Sequence, residues 1–324
     1  MKVNTDFTRV FDLDVPIVQG GLAHLAYAEL AAAVSRCGGL GQITALTLPD
    51  ADALRREIDK VRQITERPFG VNFAIGSHGR PYEDYLEAAI EEKVHAISIT
   101  GGNPVPILQR LKGTGIRSLV LVASVRQAQK AASQGASAVM AVGNEGGGHL
   151  GRDEIGTFVL VPRVARAVDI PVLASGGIVD GRGLLAALAL GAAGIEMGTR
   201  FIATRECVHA HDNYKRAILE ARETDTLVIK KSLGTPARVL RSRTAEEILA
   251  LEAAGAGYED LQDRIGFRSN QRAIYEGAMD DGIAWAGQGV GLIDDIPRVE
   301  ELFQRINREL TETYRVLGTF LGKG

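Results

Sequence analysis

The sequence predicts an α/β fold of the (β/α)8 barrel class on three observations. Short apolar runs alternate with amphipathic segments from the N-terminus to about residue 205, the pattern of βα units on a parallel sheet. Eight such runs occur, at 16–21, 40–44, 69–74, 96–100, 118–124, 138–143, 171–176 and 195–200, and eight strands close a barrel. Each run is near-continuously apolar, as expected of strands buried on both faces. The segments between them, such as 22–37, 51–65, 125–134, 161–167 and 183–190, have helical spacing, are rich in alanine and often end just before a glycine. A doubly wound open sheet shares the alternation. It requires a GxGxxG turn after its first strand and an acidic residue about twenty positions later, and neither is present.

Beyond residue 206 the rhythm changes. Residues 207–285 are charged, with helical spacing at 210–224, 245–253 and 258–276 and no strand-like run, which predicts an inserted helical lid. A last amphipathic helix at 298–317 carries Val299, Leu302, Phe303, Ile306, Leu310, Tyr314 and Leu317 on one face and is expected to pack back on the barrel. The domain expectation is a barrel from 1–206 and 286–324 with 207–285 as the lid.

Composition narrows the function. Of 324 residues 45% are hydrophobic and 24% charged, with a formal net charge of −3, so no polyanion-binding surface and no nucleic-acid partner are expected. Cys37 and Cys207 stand alone, without a CxxC or Cys/His cluster, which argues against structural zinc and fits a reducing compartment. The start of the chain lacks a basic region followed by an apolar stretch, and no apolar run approaches about 18 residues, so a soluble cytoplasmic protein without membrane contact is expected.

In such a barrel the reactive groups lie at the C-terminal ends of the strands. That rule gathers the glycine-rich segments onto one rim: Gln19, Gly20 and Gly21 after the first strand, Asn72 in the third, the 144–151 loop after the sixth, Ser175, Gly176 and Gly177 after the seventh, Gly198 and Thr199 after the eighth. The turns after strands seven and eight suit a phosphate, because glycine frees backbone amides to form an anion nest at a helix start. Gln19, Gly20, Gly21 and Asn72 offer amide and backbone groups to a planar heterocycle on the other side. A phosphate at one side and a ring at the other describe flavin mononucleotide. No lysine ends any of the eight expected strands, so sugar-phosphate isomerase or aldolase chemistry lacks its groups, and a cofactor that brings its own chemistry explains the shortage. His149 is the one side chain of the 144–151 loop that titrates near neutrality, and it is the expected catalytic residue. Glu145 and Gly148 of that loop are counted with the cofactor contacts. His24 is expected to border the flavin, His78, His95, His209 and His211 to lie at the surface, and Tyr258, Tyr275 and Trp285 to line the pocket or pack the lid helices.

The segments 16–21 (PIVQGG), 38–41 (GGLG), 68–72 (PFGVN), 146–151 (GGGHLG), 174–178 (ASGGI), 180–181 (DG) and 198–201 (GTRF) span nearly the whole chain. With them the sequence resembles the nitronate monooxygenase (2-nitropropane dioxygenase-like) family of FMN-dependent TIM-barrel oxidoreductases, whose relatives include NADH:quinone reductases and flavin-dependent enoyl-acyl-carrier-protein reductases. The resemblance implies that Gly20, Gly21 and Asn72 contact the flavin ring or ribityl chain. It also implies that Ser175, Gly176, Gly177, Gly198 and Thr199 hold the phosphate, and that His149 faces the substrate. Residues 199–207 and 232–239 resemble the quinone reductase branch, and 122–125 with 211–222 resemble the enoyl reductases. The expected activity is oxidation of an alkyl nitronate with dioxygen, His149 acting either as hydrogen-bond partner of the anion or as base toward a neutral nitroalkane. The alternative is NAD(P)H-dependent reduction of a quinone or an enoyl thioester. A third reading, a flavin- or phosphate-binding protein without turnover, predicts no reaction with any of these substrates. The expected assembly, if the chain associates, is a homodimer.

Overall fold

The structure is a computed structural model that describes residues 2–76 and 81–322; His78 and the rest of 77–80 lie outside the described residues. In chain order the strands are β1 (Ile17–Gln19), β2 (Gly41–Thr44), β3 (Phe69–Ala74), β4 (Ala96–Thr100), β5 (Arg117–Val122), β6 (Ala138–Val142), β7 (Gly148–His149), β8 (Val172–Ser175), β9 (Gly194–Met197), β10 (Thr226–Ile229) and β11 (Ala237–Leu240). Eight of them form one parallel sheet in the order β1-β9-β8-β6-β5-β4-β3-β2. A parallel bridge between Val18 and Leu40 joins its two ends, with Gln19 N donating to Leu40 O at 3.0 Å and Leu40 N to Ile17 O at 2.9 Å, so the sheet closes into the expected barrel.

Alternation along the strands explains where each side chain goes. Val18, Leu40, Ala96, Leu119, Ala138, Met140 and Leu173 are fully buried in one cluster with Phe7 and Phe11. Those two phenylalanines come from the helix Asp6–Phe11, which is tied to the N-terminal ends of β4 and β5 by His95 Nε2 to Phe11 O (2.6 Å) and Arg117 Nε to Val10 O (3.0 Å). The lower mouth is thereby plugged with apolar mass. Higher in the barrel the inward positions turn polar, with Gln42, Asn72, Ser98, Ser175 and Glu196 beneath the C-terminal rim. A larger apolar cluster fills the space between the strands and the surrounding helices, and the long helix Val299–Phe320 buries Val299, Leu302, Phe303, Ile306 and Leu310 against it.

Local differences from the expected elements have simple causes. The helix expected at 22–37 begins only at Ala28, because the preceding stretch is a rim loop held by Leu22 N to Thr44 Oγ1 at 3.0 Å. The helix expected at 258–276 is two, Tyr258–Ile265 and Phe267–Ile274, broken where Gly266 takes an extended conformation. The block 207–285 is not free of strands: β10 and β11 pair antiparallel, and β7 adds to the edge of β11. Each of β10 and β11 is four residues long, and Arg238 interrupts the apolar character of β11, so neither registers as a strand by hydrophobic pattern. This block meets the C-terminal rim: Tyr275 Oη donates to His24 O at 3.0 Å, and the His24 ring, itself held at φ +67°, stands edge-on to Phe267 at 4.2 Å. No helix among the described residues is long and apolar enough to cross a membrane.

Candidate active site

The rim is built first from backbone. Gly176 and Gly177 follow β8 with φ of +96° and +75°, a left-handed pair that only glycine adopts without strain. A Cβ on Gly176 would stand 3.0 Å from Gly146 N and 3.1 Å from Gly143 O, so the turns after β6 and β8 are in contact. Gly198 precedes the short helix Thr199–Ile202, and Thr199 Oγ1 accepts from Gly287 N at 3.0 Å, leaving its own hydroxyl hydrogen to donate. At the end of β1, a Cβ on Gly21 would collide with the Asn72 amide and one on Gly20 with the Glu196 carboxyl. Asn72 Nδ2 donates to Ser98 Oγ at 2.8 Å, and Ser175 Oγ donates to Glu196 Oε2. Burial raises the Glu196 carboxyl above the ordinary range, the Ser175 bond offsetting part of the effect, although the residue keeps some accessible surface.

Not every expected contact faces outward. Gln19 is fully buried, its Oε1 accepting from Gln42 N at 2.9 Å and its Nε2 donating to Gly20 O, so its amide holds β1 to β2. Glu145 accepts from Thr157 N at 2.9 Å and from Thr157 Oγ1 at 3.0 Å, which places its carboxylate at the start of the helix Thr157–Ala165. Gly20, Gly21, Asn72, Ser175, Gly176, Gly177, Gly198, Thr199 and Gly148 all lie along the C-terminal rim or just beneath it.

His149 is placed by the hairpin outside the barrel. Gly147 must be glycine, since a Cβ there would lie 2.6 Å from Gly287 N. Gly148, at φ +72°, and His149 then pair with Arg238 and Ala237 of β11. Arg238, 5% exposed, donates from Nη2 and Nε to Asn144 O (2.9 and 3.2 Å) and from Nη1 to Thr226 Oγ1 (3.0 Å), fastening the 144–151 loop to β10 and β11.

A lysine does reach this rim, against expectation, because it follows β10 and not a barrel strand. Lys230, at φ +63°, brings Nζ to 3.1 Å from His149 Nε2 and 5.5 Å from the Trp285 ring centroid; the His149 and Trp285 centroids are 5.8 Å apart. Crowding by the surrounding rim, and after it the Lys230 charge, pushes the His149 imidazole down to about 4. His149 is nonetheless an exposed residue, so solvent screens much of this effect, and the downward direction is what both causes share. Burial pushes the Lys230 ammonium down to about 8, with Glu252 opposing. Near neutrality the pair is therefore a neutral imidazole beside an ammonium that releases its proton readily.

Closed barrel, glycine-lined rim and the His149 imidazole at its edge define a (β/α)8-barrel protein with its candidate site on the C-terminal rim, and the relatives of the chain are oxidoreductases. The chain belongs to the nitronate monooxygenase family, whose model matches residues 4–79 and 75–309. It is 32% identical to the Rhodococcus jostii (3aS,4S,5R,7aS)-5-hydroxy-7a-methyl-1-oxo-octahydro-1H-indene-4-carboxyl-CoA dehydrogenase over 98% of each chain. A probable nitronate monooxygenase of Staphylococcus saprophyticus is 32% identical, over 90% of this chain and 94% of that protein. Among solved structures, FabK from Thermotoga maritima superposes with a TM-score of 0.91 at 41% identity, covering 98% of this chain and all of that one.

Proposed function

We propose that this chain is an FMN-dependent oxidoreductase that reduces the carbon–carbon double bond of an enoyl thioester with NAD(P)H. The cofactor part of the reading is supported by fit. Gly176, Gly177, Gly198 and Thr199 present backbone amides and a hydroxyl at the phosphate end, while Gly20, Gly21 and Asn72 leave side-chain-free backbone and an amide at the ring end. Glu196 beneath them is held toward its neutral form, which spares a bound phosphate a like charge. When bound, FMN supplies reversible two-electron transfer. We read residues 1–206 with 286–324 as the cofactor domain and 207–285 as a lid on its substrate face.

The observation that carries the substrate class is the ammonium of Lys230 held at 3.1 Å from His149. An imidazole lowered by crowding and by the Lys230 ammonium 3.1 Å from its Nε2 takes a proton from a carbon acid less readily, so a base role toward neutral nitroalkanes is disfavoured. The same pair is well made for giving positive charge and a proton to an oxygen or carbon that becomes negative, as in enoyl reduction. The carboxyl-CoA dehydrogenase among the relatives, named for a thioester, agrees with this class. The second reading, oxidation of a preformed alkyl nitronate, is favoured by the name of the Staphylococcus relative and uses the pair as an anion contact.

Anaerobic mixing of the FMN-loaded protein with NADH, NADPH or ethyl nitronate separates the two. The expected result is rapid bleaching of the flavin by one of the nicotinamides and return of colour on adding crotonyl-CoA. Bleaching by ethyl nitronate alone would replace the thioester reading with the nitronate one.

A further inference from the structure

Lys230 is an unusual lysine for a surface hairpin. It is 7% exposed, and its backbone is strained into the left-handed region at φ +63°, held in place by Lys230 N donating to Glu252 Oε2 at 2.9 Å. No carboxylate among the described residues lies within ion-pairing distance of its Nζ. A desolvated ammonium without a counter-ion destabilises a fold unless something at the site uses it. The groups facing it are His149 from β7, Trp285, and Glu252 from the helix Arg243–Ala253. On the neighbouring strand Arg238 is turned away to Asn144 and Thr226. Lys231, next in sequence, is paired with Glu154.

We propose that Lys230 is the proton-supplying positioning residue of this site, passing its proton to the substrate through the His149 imidazole; the enoyl thioester as acceptor rests on the reading above. The Lys230 ammonium donates to Nε2, so the ring hydrogen of the neutral imidazole stands on Nδ1. The Nδ1 hydrogen goes to the substrate α-carbon as Nε2 takes a proton from Nζ. The imidazole ends in its other tautomer and the lysine ends as a neutral amine, with one proton in and one out. The β-carbon receives a hydride equivalent whose electrons come from NAD(P)H, so the double bond becomes two C–H bonds and charge balances. Solvent then reprotonates Lys230. A lysine pushed down to about 8 recharges easily near neutrality and loses its proton above that value, so the reaction slows as pH rises through it.

Trp285 is the only tryptophan of the chain and reports on this pair directly. In the FMN-loaded wild type, Trp285 emission is expected to titrate with a midpoint near about 8, and in Lys230→Met to stay flat over the same range. With crotonyl-CoA, Lys230→Met is expected to lose about 10²–10⁴ in kcat and the alkaline fall of the pH profile, while flavin bleaching by the nicotinamide keeps its wild-type rate. Lys230→Arg keeps the charge but does not release a proton, so it should retain KM and not kcat. Wild-type emission that does not titrate near this pH, or a Lys230→Met variant with wild-type kcat, would overturn the proposal. If emission titrates as expected but the wild type leaves crotonyl-CoA unreduced, the thioester reading fails and the Lys230–His149 pair stands.

Discussion

His149→Ala is expected to keep the fold and its FMN while turnover falls by about 10²–10⁴. The fold survives because the ladder between β7 and β11 uses backbone groups at this position, which alanine keeps. FMN is retained because the expected phosphate contacts lie after β8 and β9, in other turns. The lost groups are the imidazole between Lys230 and the substrate and the orienting hydrogen bond it makes. Lys230 remains, so some electrostatic assistance persists and the loss is not total. Comparison with His149→Gln, which keeps a hydrogen-bonding side chain but transfers no proton, separates polarity from proton delivery. Equal turnover of wild type and His149→Ala on both crotonyl-CoA and ethyl nitronate would remove His149 from the chemistry and leave the cofactor site standing.

Gly198→Asp is expected to yield a folded protein that no longer holds FMN through gel filtration. Gly176→Asp, in the turn after β8, is a poorer probe. At φ +96° any side chain is strained, and its Cβ would press on Gly146 N, so lost stability would be confused with lost binding. Gly198 has an ordinary φ of −107°, and its Cβ would meet only Leu22 Cδ2 at 3.4 Å, a normal contact. What aspartate adds there is one negative charge beside the expected phosphate. Gly198→Ala controls for size and should retain much of the FMN, and the apo melting temperature of both variants should match that of apo wild type. Full FMN content in Gly198→Asp would move the phosphate away from the turn after β9.

The barrel is legible in the sequence because its strands are buried on both faces and therefore near-continuously apolar, and because its glycine turns recur at strand ends. The hairpin of β10 and β11 is not. Four-residue strands with Arg238 among them give no periodic signal, and the pairing of β11 with β7 joins His149 to Ala237 and Gly148 to Arg238, far apart along the chain. Lys230 is hidden for the same reason: nothing local to it points at His149. Glu196, inside an otherwise apolar run from Gly194 to Met197, is a visible anomaly that marks an inward-facing acid beneath the rim. Gln19 and Glu145 show the opposite limit. Their residue types suit a ligand, yet the backbone amides of Gln42 and Thr157 engage their side chains. Whether a polar side chain at a strand end faces solvent or caps a neighbour depends on contacts that local sequence does not carry.

The most direct test of the whole site is a crystal structure of the FMN complex. The expected result places the phosphate within hydrogen-bonding distance of the Gly176, Gly177, Gly198 and Thr199 amides, the ring over Gly20, Gly21 and Asn72, and the His149 imidazole within one side-chain length of the ring edge. Space for a small ligand should remain between ring and imidazole, with Lys230 behind it. A flavin bound elsewhere, or a ring on the far side of the rim from His149, would contradict it.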